Sequence, residues 1–271
     1  LGAGTAVSVR DYFVRWAALP DLFYAFDAGL WELGRQTAAL AGEPVYITPR
    51  GAEHATLAFA WRRRRDPPVS FDGRHIFPLT GGETVTPEHY AVIEHEDFRT
   101  RLLLPEVFPA AEVSDEPADP EGNVYARIYT RPAGTAAQRP PRILSPADLG
   151  DGIRLAGYDV LPASPQRDGS LYLQLHWLAD AAPVYDWTVF THVIDPATGQ
   201  VVAGYDSRPG AGSLPTPRWQ AGWRILDEYE IALPADLPPG EYLMRAGLYR
   251  AEDARLPADG PGIDLGTVTV K

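Results

Sequence analysis

The sequence predicts a small layered α/β domain followed by an all-β sandwich of the jelly-roll kind. Over residues 152–270, short alternating strands are punctuated by the turns Arg167-Asp168-Gly169, Asp195-Pro196-Ala197-Thr198-Gly199 and Leu237-Pro238-Pro239-Gly240. That spacing belongs to an antiparallel sandwich. Residues 1–131 instead alternate helical and strand patterns, as layered α/β domains do. Between the two, residues 132–146 hold four prolines among Gly, Ala, Thr, Gln and Ser, a linker composition. The predicted division is therefore 1–131, a linker over 132–146, and 147–271.

Ser8-Val9-Arg10-Asp11 has the form of a helix start, and a short helix through Phe13 and Trp16 should stop near Pro20. Leu22, Phe26, Leu30, Leu33, Thr37 and Leu40 recur at spacings of three and four, which predicts one helix with one apolar stripe. Gly42 should end it in the left-handed conformation. Residues 45–48, bracketed by Pro44 and Pro49, read as a buried strand. Residues 53–64 read as a helix with acid at its start and arginine at its end. Strands are expected at 69–71, 76–79, 90–93 and 123–129, and a helix at 98–104. Asp72-Gly73 reads as a hairpin turn needing positive backbone angles.

In the second half, Leu171, Leu173, Leu175 and Trp177 share one face of a strand, with Tyr172, Gln174 and His176 on the other. Further strands are expected at 153–160, 187–194, 201–206, 225–233, 241–249 and 265–270. Together they make seven or eight strands of a sandwich.

The chain has 271 residues, 45% hydrophobic and 11% aromatic, with formal net charge -12. Such composition supplies two cores, and the charge disfavours a nucleic-acid partner. Without cysteine there is no disulfide, thiolate catalyst or Cys-based metal site. The chain starts Leu1-Gly2-Ala3-Gly4 and holds one methionine, Met244, as a piece of a longer or processed protein would.

No nucleophile motif, phosphate loop or dinucleotide fingerprint occurs, so no catalytic residue and no cofactor is assigned. His54 reads as a helix-start residue, and His75 as part of a turn. His89 and His95 lie among Glu88, Glu94, Glu96 and Asp97, but in a strand Glu94 and Glu96 would share a face with His95 turned away. No metal site is assigned. Arg62, Arg63, Arg64 and Arg65 form the one concentrated positive run and are the candidate contact for a membrane or a phosphate. Trp177 and Trp187 are expected in the core. Trp219 and Trp223, flanked by Arg218 and Arg224 in a long connection, are the candidate glycan contact if their rings are exposed.

Several strings carry a family resemblance. They are Tyr12-Phe13 with Trp16-Ala17, Tyr24-Ala25-Phe26-Asp27, Val45-Tyr46-Ile47-Thr48-Pro49, His54-Ala55-Thr56-Leu57 and Phe71-Asp72-Gly73-Arg74. They resemble the extracytoplasmic region that follows the membrane helices of bacterial family-39-like glycosyltransferases, relatives of dolichyl-phosphate-mannose protein mannosyltransferases. The second half is similar to the β-sandwich often appended there, through Leu155-Ala156-Gly157-Tyr158-Asp159, Phe190-Thr191-His192-Val193, Asp206-Ser207-Arg208-Pro209, Pro239-Gly240-Glu241-Tyr242 and Gly247-Leu248-Tyr249. The resemblance implies a polytopic enzyme that moves a sugar from a polyprenyl-phosphate carrier to an extracytoplasmic acceptor. The resemblance places the family's catalytic acid in a loop between early membrane helices, a region these residues do not include, so this chain is expected to be inactive alone. Its implied partners are the membrane-embedded part of the same polypeptide and a glycan or polyprenyl-phosphate sugar. The competing expectation is a stand-alone secreted or cell-surface carbohydrate-binding sandwich, with the first domain as spacer.

Overall fold

A computed structural model describes Val7, residues 20–253 and residues 262–271; the helix expected from residue 8 falls outside them. Contacts divide the chain into two compact units, Leu1–Ser70 with Thr84–Thr135, and Phe71–Glu83 with Ala136–Lys271.

In chain order the elements of the first half are α1 (Pro20–Ala25), α2 (Ala28–Ala39), β1 (Val45–Thr48), α3 (Ala55–Trp61), β2 (Val69–Ser70), β3 (Ile76–Thr80), β4 (Glu88–Val92), α4 (Phe98–Val107), β5 (Glu112–Asp115) and β6 (Arg127–Arg131). The second half adds β7 (Ile143–Asp148), β8 (Ile153–Leu161), β9 (Ser170–Ala179), β10 (Thr188–Ile194), β11 (Val201–Ser207), β12 (Trp223–Ala232), β13 (Gly240–Tyr249) and β14 (Gly262–Val270).

The first unit is built on a mixed sheet of order β2-β1-β4-β6-β5. β1 runs parallel to β2 and β4, with Tyr46 opposite Val69 and Tyr90. A strand flanked by parallel neighbours is covered on both faces, and all four β1 residues are buried. One side is a core of Leu30, Leu33, Ile47, Leu57 and Trp61 with Ala91 and Ile128. Tyr46 and Tyr90 stack at 4.7 Å and 9°, and Phe108 packs on Tyr90 at 5.2 Å.

The single helix expected over residues 22–40 is broken. Asp27 takes φ 52 and ψ 32 between α1 and α2, a conformation that aspartate tolerates better than most residues. Its Oδ2 accepts from Thr56 Oγ1 at 3.3 Å and lies 3.6 Å from His54 Nε2. Those tertiary contacts override the stripe and leave Phe26 63% exposed. Gly42 is left-handed as expected, φ 93.

The second unit is a sandwich of two antiparallel sheets, ordered β3-β12-β9-β8-β7 and β11-β10-β13-β14. Residues 76–79 thus make a sandwich strand rather than one of the α/β sheet: β3 pairs with β12 from Thr80 opposite Trp223 to Ile76 opposite Asp227. Ile76, Phe77 and Leu79 are fully buried, and Pro78 is accommodated because β3 is an edge strand. The Asp72-Gly73 turn is consequently no hairpin. His75 N and Ile76 N both donate to Asp72 O at 3.0 Å, and no residue of this turn has positive φ.

The proline-rich stretch is partly structured. β7 pairs with β8, Ile143 opposite Tyr158 and Asp148 opposite Arg154, while Arg139 Nη2 donates to Gln174 Oε1 at 3.0 Å. β7 buries almost no side chain, so no apolar alternation marked it. Two smaller differences complete the comparison. β4 ends at Val92, so residues 94–96 form a turn and the shared strand face expected for Glu94 and Glu96 does not exist. Likewise β6 begins only at Arg127.

Candidate functional site

β12 outruns its neighbour β3. Their pairing stops at Asp227 opposite Ile76, and Glu228 N then donates to His75 O at 2.8 Å. Beyond that point the strand walls a cleft of about 250 Å³, lined by Glu228, Tyr229, Glu230, His75, Tyr205 of β11 and Ala211. All of these residues belong to the sandwich unit.

The rigid wall of the cleft is set by a buried acid. Asp227 is fully buried, and its carboxylate accepts from Gly210 N at 2.9 Å, Trp177 Nε1 at 3.3 Å and Tyr229 Oη at 2.5 Å. Burial, then the Asp227 charge, pushes the Tyr229 hydroxyl well above its ordinary pKa, so it stays a donor. Gly210 and Ala211 have φ 62 and 53 in a short 3-10 turn, Pro209–Gly212. At Gly210 a Cβ would stand 2.3 Å from Ile76 Cγ2, so glycine is required there. Ala211 has no such excuse, and a left-handed alanine stores about 1 kcal/mol of strain at the cleft wall.

The open side carries the chemistry. Tyr205 is 43% exposed, its ring 6.2 Å from that of Tyr229 at 57°. Glu230 Oε1 accepts from Ser170 Oγ at 2.6 Å and Tyr172 Oη at 3.0 Å, and those hydrogen bonds hold its carboxyl below the usual range. Gln174 Nε2 donates to Glu228 Oε2 at 3.3 Å, while its Oε1 accepts from Arg139. Tyr205 and Tyr229 lie on the core side of β12, and the Glu228 and Glu230 carboxylates on its outer side. The cleft at the strand edge therefore offers a ring to stack on, with acceptors for hydroxyls around that edge. The volume suits a single ring rather than a drug-sized ligand.

Behind this wall Arg139 reaches toward Asp159, Nη2 to Oδ2 3.8 Å, and Asp159 Oδ1 accepts from Arg142 N at 2.6 Å. His176 lies 3.4 Å from Asp159 Oδ2, close enough for Coulombic attraction but misaligned for a hydrogen bond, so both ring nitrogens lack a hydrogen-bond partner. Burial works to raise the Asp159 pKa, but His176, the Arg142 amide and Arg139 outweigh it and the net shift is downward. A carboxyl depressed in the folded state adds stability that is fully present above its unfolded pKa, about 4. That stability disappears as pH falls through the folded value. Urea midpoints measured from neutral pH into acid should therefore fall less steeply for Asp159→Asn than for the parent. Parallel curves would contradict this role.

None of the loop residues singled out in the sequence lines the cleft. Trp219 is 1% and Trp223 4% exposed, with Trp219 Nε1 donating to Leu214 O at 3.0 Å; neither ring offers a face for a sugar. Arg218 donates to Ser213 O at 2.8 Å. Arg224, its pKa lowered by burial, donates to Arg139 O at 2.9 Å. The loop is pinned to the sandwich by apolar burial, which corrects the expectation of a glycan contact there. Trp177 is in the core as expected.

His54 caps α3, its Nδ1 accepting from Thr56 N at 3.4 Å. His89 pairs with Glu43 at 2.5 Å and Thr130 at 2.9 Å, whereas His95 packs 5.1 Å from the Tyr125 ring. Among the described residues no three His, Asp or Glu side chains gather in a metal-holding group. Arg62, Arg63, Arg64 and Arg65 follow α3 in the other unit. On the sandwich face turned from the core, His192 pairs with Asp206 at 3.2 Å and Arg245 with Asp264 at 2.6 Å. Those side chains are paired with one another.

No protein-family model matches the chain, and no curated protein matches it. Among solved structures, the one described as "Crystal structure of the C-terminal domain of wzt" is similar over 49% of this chain and 82% of its own. The identity is 16% and the TM-score 0.33. The description of the sandwich therefore rests on its own strand register.

Proposed function

We propose that the sandwich is a saccharide-binding module, and that the chain is a non-catalytic extracytoplasmic part of a membrane glycosyltransferase. The observation that carries the first statement is the exposed Tyr205 ring in a cleft at the β12 edge that Glu228, Glu230 and His75 also line. Sugars present an apolar face and a rim of hydroxyls, and this arrangement offers a partner for each. The second statement is supported by the residue strings that resemble the glycosyltransferase region. In that setting the module would hold the acceptor or the growing glycan beside an active site supplied by the membrane-embedded part. No described helix is long and apolar enough to cross a membrane. Glycosyl transfer by the purified chain from a polyprenyl-phosphate sugar would refute the non-catalytic reading.

One ring and a few hydrogen bonds imply weak binding, with Kd on the order of 1 mM. In native gels containing polysaccharide, retardation of the chain should be lost in Tyr205→Ala. The thermal midpoint should hardly move, because the ring is partly exposed. Unchanged retardation of that variant would remove the cleft from consideration. The stand-alone surface module makes the same binding prediction; a reading frame with a run of membrane spans upstream of Leu1 separates the two.

A further inference from the structure

The Arg62-Arg63-Arg64-Arg65 run lies in the α/β unit, and the sugar cleft does not bear on it. It folds beside the C-terminal ends of α2 and α3, around a hollow of about 370 Å³. Small side chains, among them Ala38 and Ala60, line its floor, and Arg63, Arg64, Arg65 and Asp66 line its rim.

The arginines are not equivalent. Arg64 is structural: it donates from Nη1 to Thr37 O and from Nε to Asp66 O at 2.9 Å, satisfying a carbonyl in the last turn of α2 as basic residues do at helix ends. Arg62 turns away, its Nη1 on Phe59 O at 2.7 Å and its guanidinium 4.0 Å above the Phe59 ring. Arg63 and Arg65 do neither. Both are exposed, and among the described residues neither has an ion-pair or hydrogen-bond partner.

In a chain of net charge -12, other arginines show how readily local acids are found: Arg131, Arg154 and Arg245 each reach a carboxylate and Arg127 reaches two. Here three guanidiniums face one carboxylate across an open hollow with a small-residue floor. Mutual repulsion at the rim is relieved by an anion, and planar guanidinium forks match phosphate oxygens two at a time. Asp66 sets the limit, since its carboxylate repels the same anion and favours a ligand seated toward Arg63 and Arg65.

We propose that this hollow binds a phosphate group through Arg63 and Arg65, with Arg64 as its fixed wall. The phosphate can be free or carried on a lipid. Phe59 and Trp31, 55% and 39% exposed with ring centroids 5.9 Å apart, stand on the same two helices, and aromatic side chains of this kind favour a membrane interface.

The test uses the full chain. Its arginine Nε–Hε resonances are followed during titration with inorganic phosphate, against chloride at matched ionic strength. Vesicles of phosphatidylglycerol mixed with phosphatidylcholine, and of phosphatidylcholine alone, are tested by co-sedimentation. Phosphate should shift the Arg63, Arg64 and Arg65 signals where chloride does not, and in Arg63→Gln with Arg65→Gln the response, read at the Arg64 signal that every variant keeps, should weaken at least about tenfold without a change of fold. Arg63→Lys with Arg65→Lys should recover only part of it, because charge remains but the fork is lost. Sedimentation with the anionic vesicles that the double glutamine variant loses would identify lipid phosphate as the source. A phosphate response without sedimentation would identify a soluble phosphate. No response beyond that to chloride, or a response that survives in the double glutamine variant, would overturn the proposal.

Discussion

Replacing Asp227 by alanine is expected to destabilise the sandwich by about 3–5 kcal/mol, since three buried donors lose their acceptor at roughly 1–3 kcal/mol each with partial relaxation. Gly210 N, Trp177 Nε1 and Tyr229 Oη all converge on this one carboxylate. They come from the turn beside the cleft, from near the C-terminal end of β9 and from β12 itself. The substitution should also loosen the Gly210–Ala211 turn, so any saccharide binding should weaken along with stability. Asp227→Asn keeps an acceptor oxygen and should recover part of the loss. Urea unfolding followed by tryptophan fluorescence measures both variants, and a loss below about 1 kcal/mol for alanine would mean that the donors find other partners.

Arg131→Met is the counterpart in the α/β unit. Arg131 and Glu88 are 2.9 Å apart with side chains 0% and 3% exposed, and the guanidinium lies 4.5 Å over the Phe108 ring. Removing one partner of a buried ion pair leaves the other charge unpaired, at a cost of about 3–5 kcal/mol. Removing both is far cheaper, because two apolar side chains no longer have to be paired. The double variant Glu88→Leu with Arg131→Met should therefore melt higher than Arg131→Met alone. A double variant that melts lower would show that Glu88 has other partners that matter more than its pairing with Arg131, such as the Tyr90 hydroxyl that donates to it.

The alternation that places Leu171, Leu173, Leu175 and Trp177 in the core was readable from residue order, because a period of two is local. So was β1, an apolar run closed by prolines. What a local pattern cannot contain is partner choice. Residues 76–80 read as a strand, and only the burial of both faces against β12 and its neighbours assigns them to the sandwich. The break at Asp27 likewise comes from Thr56 and His54, nearly thirty residues away.

The cleft was hidden for the same reason. His75, Tyr205, Glu228 and Glu230 are brought together by the two sheets, and no spacing in sequence joins them. One signal was present: Tyr172 and Gln174 alternate outward from β9, and Glu228 and Glu230 do the same on β12, where Glu230 pairs with Tyr172 and Glu228 with Gln174. A polar ladder of that kind marks a face that meets solvent or ligand. The arginines flanking Trp219 and Trp223 do not decide whether the rings are exposed, and both rings turn inward.

The proposed saccharide site is the cleft where β12 runs beyond β3. A titration of the isotopically labelled full chain with mannose, glucose and galactose oligosaccharides, read as amide chemical-shift changes, tests it most directly. The account predicts saturable shifts for at least one of them, centred on Tyr205, Ala211, Glu228, Tyr229, Glu230 and His75 and abolished by Tyr205→Ala. Shifts centred instead on the paired charges of His192 and Arg245, or no shifts with any of the three at millimolar saccharide, would contradict it.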